Sequence, residues 1–90
     1  MQTQQVRYFL AAGDELNFTR AAKKCGVSQP SLTNAVKRLE REVGGVLFLR
    51  SPRPPHIELT ALGRKLHPVC IQMDALLTEL VSSNGKKKRR

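Results

Sequence analysis

What most limits how this chain can fold is a three-residue break, Gly26-Val27-Ser28, set between two stretches of helical periodicity. Glycine can take the positive φ that ends a helix, valine can plug a core, and a serine hydroxyl can cap the N–H groups of the next helix. Pro30 follows in the first helical turn, where its missing N–H leaves no partner unsatisfied. Two helices joined by so short a link must cross steeply, which predicts a helix-turn-helix.

The flanking periodicity supplies the other elements. Val6, Phe9 and Leu10 predict a first helix from Thr3 to Gly13, with Gly13 ending it in a left-handed conformation. Asn17 is placed to cap a short second helix whose inner face holds Phe18, Ala21, Ala22 and Cys25, and whose outer face holds Thr19, Arg20, Lys23 and Lys24. The third helix runs from Gln29 to about Val43 and stops at Gly44-Gly45. At ~100° per residue, Leu32, Ala35, Val36, Leu39 and Val43 gather on its core side. Thr33, Asn34, Lys37, Arg38 and Arg41 project from the other side, with Glu40 and Glu42 on the flanks.

Two short β segments follow, Val46 to Arg50 and Ile57 to Leu59. The connection Ser51-Pro52-Arg53-Pro54-Pro55-His56 carries three prolines, which stiffen it and exclude a regular two-residue hairpin turn. A projecting loop, or wing, is expected. Thr60 can cap a fourth helix whose stripe of Leu62, Leu66, Val69, Met73, Leu76, Leu77 and Leu80 extends to about Val81, with a kink expected at Pro68. The predicted fold is mostly α: a winged helix-turn-helix of three helices and a two-stranded wing over residues 1–59, then a long linker or dimerisation helix over 60–82. Residues 83–90 are expected to form a disordered basic tail.

Charge narrows the function. Lys and Arg number 16 against 7 Asp and Glu, and without the five cations at 86–90 the balance is still positive, 11 against 7. Such a surface attracts polyanions. The carboxylates are scattered, no Ser, His and Asp fall into a recognisable arrangement, and no Gly-rich phosphate loop occurs, so the chain is expected not to be an enzyme. Cys25 and Cys70 lie far from any His or Cys at metal-ligand spacing; His56 and His67 are isolated, and surface roles are expected for both. Neither a metal nor another cofactor is implied. The N-terminus has no basic-then-apolar leader, and no stretch reaches the ~20 apolar residues of a spanning helix, so a cytoplasmic protein without a membrane partner is expected.

The third helix has the diameter and polarity for a DNA major groove. Gln29, Pro30 and Ser31 in its first turn, with Thr33 and Asn34, are candidates for base edges, and Lys37, Arg38 and Arg41 for phosphates. Arg53, held between prolines, is placed to enter a minor groove, where narrow A·T-rich segments concentrate negative potential. Arg50 has two roles open to it, a phosphate contact or a brace against a carboxylate within the wing. Thr19 and Arg20 can touch flanking phosphates or serve only capping and solvation. Leu62 and Leu66 can close the core, whereas Leu76, Leu77 and Leu80 lie too far along the helix for all to reach it and call for a partner, a two-fold copy being the commonest. Cys25 is expected in the core and Cys70 at the dimer seam.

The runs Phe18-Thr19-Arg20-Ala21-Ala22, Val27-Ser28-Gln29-Pro30-Ser31-Leu32-Thr33, Leu39-Glu40-Arg41-Glu42-Val43-Gly44, Leu47-Phe48-Leu49-Arg50 and Leu59-Thr60-Ala61-Leu62-Gly63 resemble, in order and spacing, the N-terminal domain of LysR-type transcription regulators. The likeness spans roughly residues 4 to 82. It implies sequence-specific binding of double-stranded DNA by a bacterial transcription regulator, as a homodimer on an imperfect inverted repeat. It places Gln29, Pro30, Ser31, Thr33 and Asn34 at DNA-reaching positions and Arg53 at the minor-groove position of the wing. Leu66, Val69, Cys70, Met73, Leu76, Leu77 and Leu80 would form the dimerising face. Asn34 stands where the family often has a longer Arg or Gln, and Thr33 where Ser is more usual. Members normally continue into an effector-binding domain; this chain stops at residue 90, so no small-molecule effector is expected for it alone.

Overall fold

A computed structural model describes residues 1–50, 52–53 and 56–88, the last six through their backbone alone. Its elements are α1 (Thr3–Glu15), α2 (Phe18–Cys25), α3 (Gln29–Val43), β1 (Phe48–Arg50), β2 (Ile57–Leu59) and α4 (Ala61–Lys88). The three helices and the two-stranded antiparallel wing appear in the expected order, followed by the long helix. Pro52 and Arg53 fall within the described part of the wing loop; Ser51 and two of the three stiffening prolines, Pro54 and Pro55, lie outside the described residues.

The helix-turn-helix closes as its residue types require. Gly26 takes φ 71° and its N–H returns to the carbonyls of Ala22 and Lys23, while Ser28 Oγ accepts from the Ser31 N–H. Asn17 caps α2 by accepting from the Arg20 N–H at 2.9 Å. Gly44, at φ 80°, ends α3.

Gly13 does not end the first helix. The helix continues to Glu15, and the left-handed residue is Leu16, at φ 52°. The absent side chain at Gly13 serves packing instead: a Cβ there would lie 2.9 Å from Cδ2 of His67 on α4. His67 is accordingly no isolated surface residue. It is partly buried, its ring edge-on to Phe9 at 6.1 Å and its Nε2 3.5 Å from Asp14 Oδ1. The Leu16 carbonyl accepts from Ile57 N–H at 3.0 Å, and Asn17 forms a β-bridge with His56. The corner between α1 and α2 thus anchors the root of the wing.

Strand β1 is shorter than expected because Val46 and Leu47 spend their backbone groups elsewhere. The Leu47 N–H donates to Glu40 Oε2 at 2.7 Å, its carbonyl accepts from Thr60 N–H at 2.9 Å, and the Val46 carbonyl accepts from the Thr60 hydroxyl at 2.6 Å. Thr60 also caps α4, accepting from Gly63 N–H at 3.0 Å.

The core joins Phe9, Phe18 and Phe48, with adjacent ring centroids 5.5 Å apart, to Leu32, Val36, Leu39 and Leu47. From α4 it takes Cys70, fully buried, with Leu62, Leu66 and Met73 partly covered against it. Pro68 lies inside α4, which continues past Val81 to Lys88. Lysine is a good helix former and its charge suits a helix C-terminus, so the basic segment extends the element instead of terminating it at the apolar stripe's end.

Candidate nucleic-acid interface

The outward side of α3 is open. Pro30, Ser31, Asn34, Lys37, Arg38 and Arg41 are all exposed, so the cations sit at the surface and not beneath other elements. The neighbouring carboxylates are engaged at its edges. Glu40 is held by the Leu47 N–H, and Glu42 lies 2.6 Å from the Met1 ammonium. Further back, Arg7 pairs with Asp74 and Lys24 with Glu15. The exposed α3 face thus presents three cations, with Glu42 paired and Glu40 turned to its wing-facing flank, a net positive field of the kind that attracts a polyanion.

Two candidate base-reading residues are placed differently from expectation. Thr33 is buried, at 8% exposure, and does not project outward. At ~100° per residue it stands beside Val36 and Glu40, on the flank turned toward the wing. Its hydroxyl accepts from Gln29 Nε2 at 2.7 Å, so one end of the Gln29 amide is already bonded within the helix, and Gln29 is itself half-buried. Ser31 is exposed, but its hydroxyl accepts from Ser28 Oγ at 2.8 Å. Pro30 and Asn34 stand outward beside it.

Around α3 the remaining candidates spread over two elements. Thr19 and Arg20 are exposed in the first turn of α2, and Arg53 is exposed in the wing loop. Arg50 lies over the Phe18 ring, its guanidinium carbon 5.9 Å from the ring centre. A flat cation on an aromatic face is oriented without being neutralised. The aromatic brace was not foreseen. Neither was the Glu40 clamp, which sets the distance between α3 and the wing; its only trace in the sequence is a carboxylate on the wing-facing flank of α3 shortly before the Gly-Gly turn.

Along α4 the proposed dimer residues divide. Val69, Leu76 and Leu80 are 48%, 62% and 59% exposed, a stripe of large apolar side chains facing solvent, with Leu77 partly covered beside it. Leu66 and Met73 face the domain's own core at least in part. Cys70 belongs wholly to that core and is not available at a seam; burial pushes its thiol pKa up. Cys25 is raised by the same cause, with the nearby Lys24 cation pulling it partly back. Among the described residues no cluster of three or more His, Cys, Asp or Glu is arranged to hold a metal, and no helix is long and apolar enough to cross a membrane.

Residues 3–64 match the family model described as bacterial regulatory helix-turn-helix protein, lysR family. The chain is 40% identical over 80 residues to the HTH-type transcriptional regulator IlvR of Caulobacter vibrioides, covering 89% of this chain and 26% of that protein. With BudR of Klebsiella aerogenes it shares 45% identity over 76 residues, 84% of this chain and 52% of that protein. It therefore spans from about a quarter to about half the length of these relatives. The crystal structure of a BenM_DBD/benA site 1 DNA complex superposes with a TM-score of 0.86 at 31% identity, covering 98% of this chain and 97% of that one. The family is one of transcription regulators and not of enzymes. By its capped helix pair, its wing and these matches, the chain belongs to the lysR family of bacterial regulatory helix-turn-helix proteins, as their DNA-binding domain.

Proposed function

We propose that the domain binds double-stranded DNA as a homodimer and reads an imperfect inverted repeat, one α3 entering the major groove of each half-site. The single observation that carries this reading is the exposed cationic face of α3, whose adjacent carboxylates are both engaged elsewhere. The similar BenM domain, solved on its DNA site, supports it. Asn34 and Gln29 are its base-reading residues, Pro30 and Ser31 shape the approach of the helix, and Lys37, Arg38 and Arg41 bind phosphate. Thr19 and Arg20 meet the flanking backbone, Arg50 reaches it from its seat on Phe18, and Arg53 enters the adjoining minor groove. Thr33 acts through Gln29 by accepting from its amide. Pairing runs through Val69, Leu76, Leu77 and Leu80, with Leu66 and Met73 behind them.

Selection of bound sequences from random duplexes tests specificity, symmetry and half-site spacing together, and a recovered inverted repeat is the expected result. About four to six phosphate contacts per half-site predict affinity falling by ~0.9 log units per contact for each decade of salt. Unselective enrichment with a flat salt response overturns the proposal.

A further inference from the structure

We infer that Gln4 and Tyr8 of α1, with Ser31 and Arg38 of α3, hold a DNA backbone phosphate beside the major groove. This rests on the insertion of α3 proposed above and extends the DNA contact to an element outside the helix-turn-helix and the wing.

The four side chains line one open concavity of about 390 Å³ between α1 and α3, together with Asn34. Its lining includes no carboxylate, and its one charge is the Arg38 guanidinium. Tyr8 is half-buried, and Gln4 Nε2 donates to its hydroxyl oxygen at 2.9 Å. A phenol that accepts from an amide keeps its own O–H proton to donate, and the accepted bond makes it a better donor. The concavity thus offers a hydroxyl donor and a planar cation, a pair suited to a phosphate oxygen. Asn34 and Arg38 belong both to this concavity and to the outward face of α3, so a duplex seated on that face runs one strand past Tyr8. Charge sign and continuity with the α3 face favour DNA backbone as the occupant.

The test uses a duplex recovered by the selection above, with binding read by fluorescence anisotropy. Tyr8→Phe removes the hydroxyl and keeps the packed ring. It is expected to weaken binding about fivefold to the selected duplex and to a scrambled one alike, because a phosphate contact carries no base information. Scanning each phosphate with a neutral methylphosphonate should reveal one position per half-site that weakens Tyr8→Phe clearly less than the wild type, the remaining loss being that of Arg38. Gln4→Ala should show the same coupling at that position. Unchanged affinity of Tyr8→Phe, or the absence of any coupled phosphate, overturns this inference and leaves the α3 reading intact; a loss confined to the selected duplex overturns it in favour of base contact. Failure of the wild type to bind any duplex overturns both.

Discussion

Among single residues, Gln29 and Arg53 divide the proposed reading of DNA between two grooves. Gln29→Ala is expected to relax base preference at one position per half-site by about 1–3 kcal/mol, whereas Arg53→Ala should weaken A·T-flanked sites most. Competition between matched and singly altered duplexes measures both, and full discrimination retained by Gln29→Ala would move the reading role to Asn34. The thiols supply a pH dependence. Burial raises the folded-state pKa of Cys70 above its unfolded value, so the folded state holds the proton more tightly. That contribution to stability is complete below the ordinary thiol range and disappears as pH rises through the raised pKa. Thermal midpoints followed into the alkaline range should therefore fall, and fall less steeply in Cys70→Ala from its own lower starting point. Which residues point outward was legible from spacing for Asn34, Lys37, Arg38 and Arg41. Thr33 was not, because a residue ~90° from the core axis of a helix is exposed or buried according to its neighbour, and here the wing covers it.

Where elements meet, the short-range signals were readable and the long-range ones were not. The Asn17, Ser28 and Thr60 caps, the turn at Gly26 and the stop at Gly44 all follow from chemistry within three or four residues. The role of Gly13 did not, since its reason lies on α4, and neither did the left-handed Leu16, a conformation that local preference opposes by ~1–2 kcal/mol and that the Ile57 N–H helps to hold. Two glycines separate backbone from packing effects. Gly26→Ala meets no neighbouring atom and should cost about 1 kcal/mol from its positive φ alone. Gly63 has an ordinary φ, yet a Cβ there would strike the Leu47 carbonyl oxygen, and Gly63→Ala should cost about 1–3 kcal/mol by forcing α4 away. Urea denaturation measures both; a Gly63→Ala variant as stable as the wild type would refute the packing account. Glu40→Ala leaves the Leu47 N–H without its acceptor and should destabilise by about 1.5–3 kcal/mol, the range of a charged hydrogen bond. Retention of wild-type stability would show that water replaces the clamp.

For the whole molecule, the exposed stripe on α4 is what the proposed pairing would cover. Leu76→Asp with Leu80→Asp places charge where a two-fold partner would pack, and sedimentation should show a monomer whose far-ultraviolet spectrum retains the helical signature. Its thermal midpoint should no longer rise with protein concentration, as that of a dimer does. A wild-type chain that sediments as a monomer at high concentration would remove α4 as the pairing element. The start of α4 is fixed by Thr60, hooked to Val46 and Leu47, and by Gly63, pressed against the Leu47 backbone. At 28 residues, α4 is a lever arm of ~42 Å. Tilting its base by ~10° would swing the far end by ~7 Å, about two base-pair steps along a duplex, given the ~34 Å helical repeat. In the proposed dimer the absent side chain at position 63 would thereby act as a protractor, setting how far apart two reading heads stand.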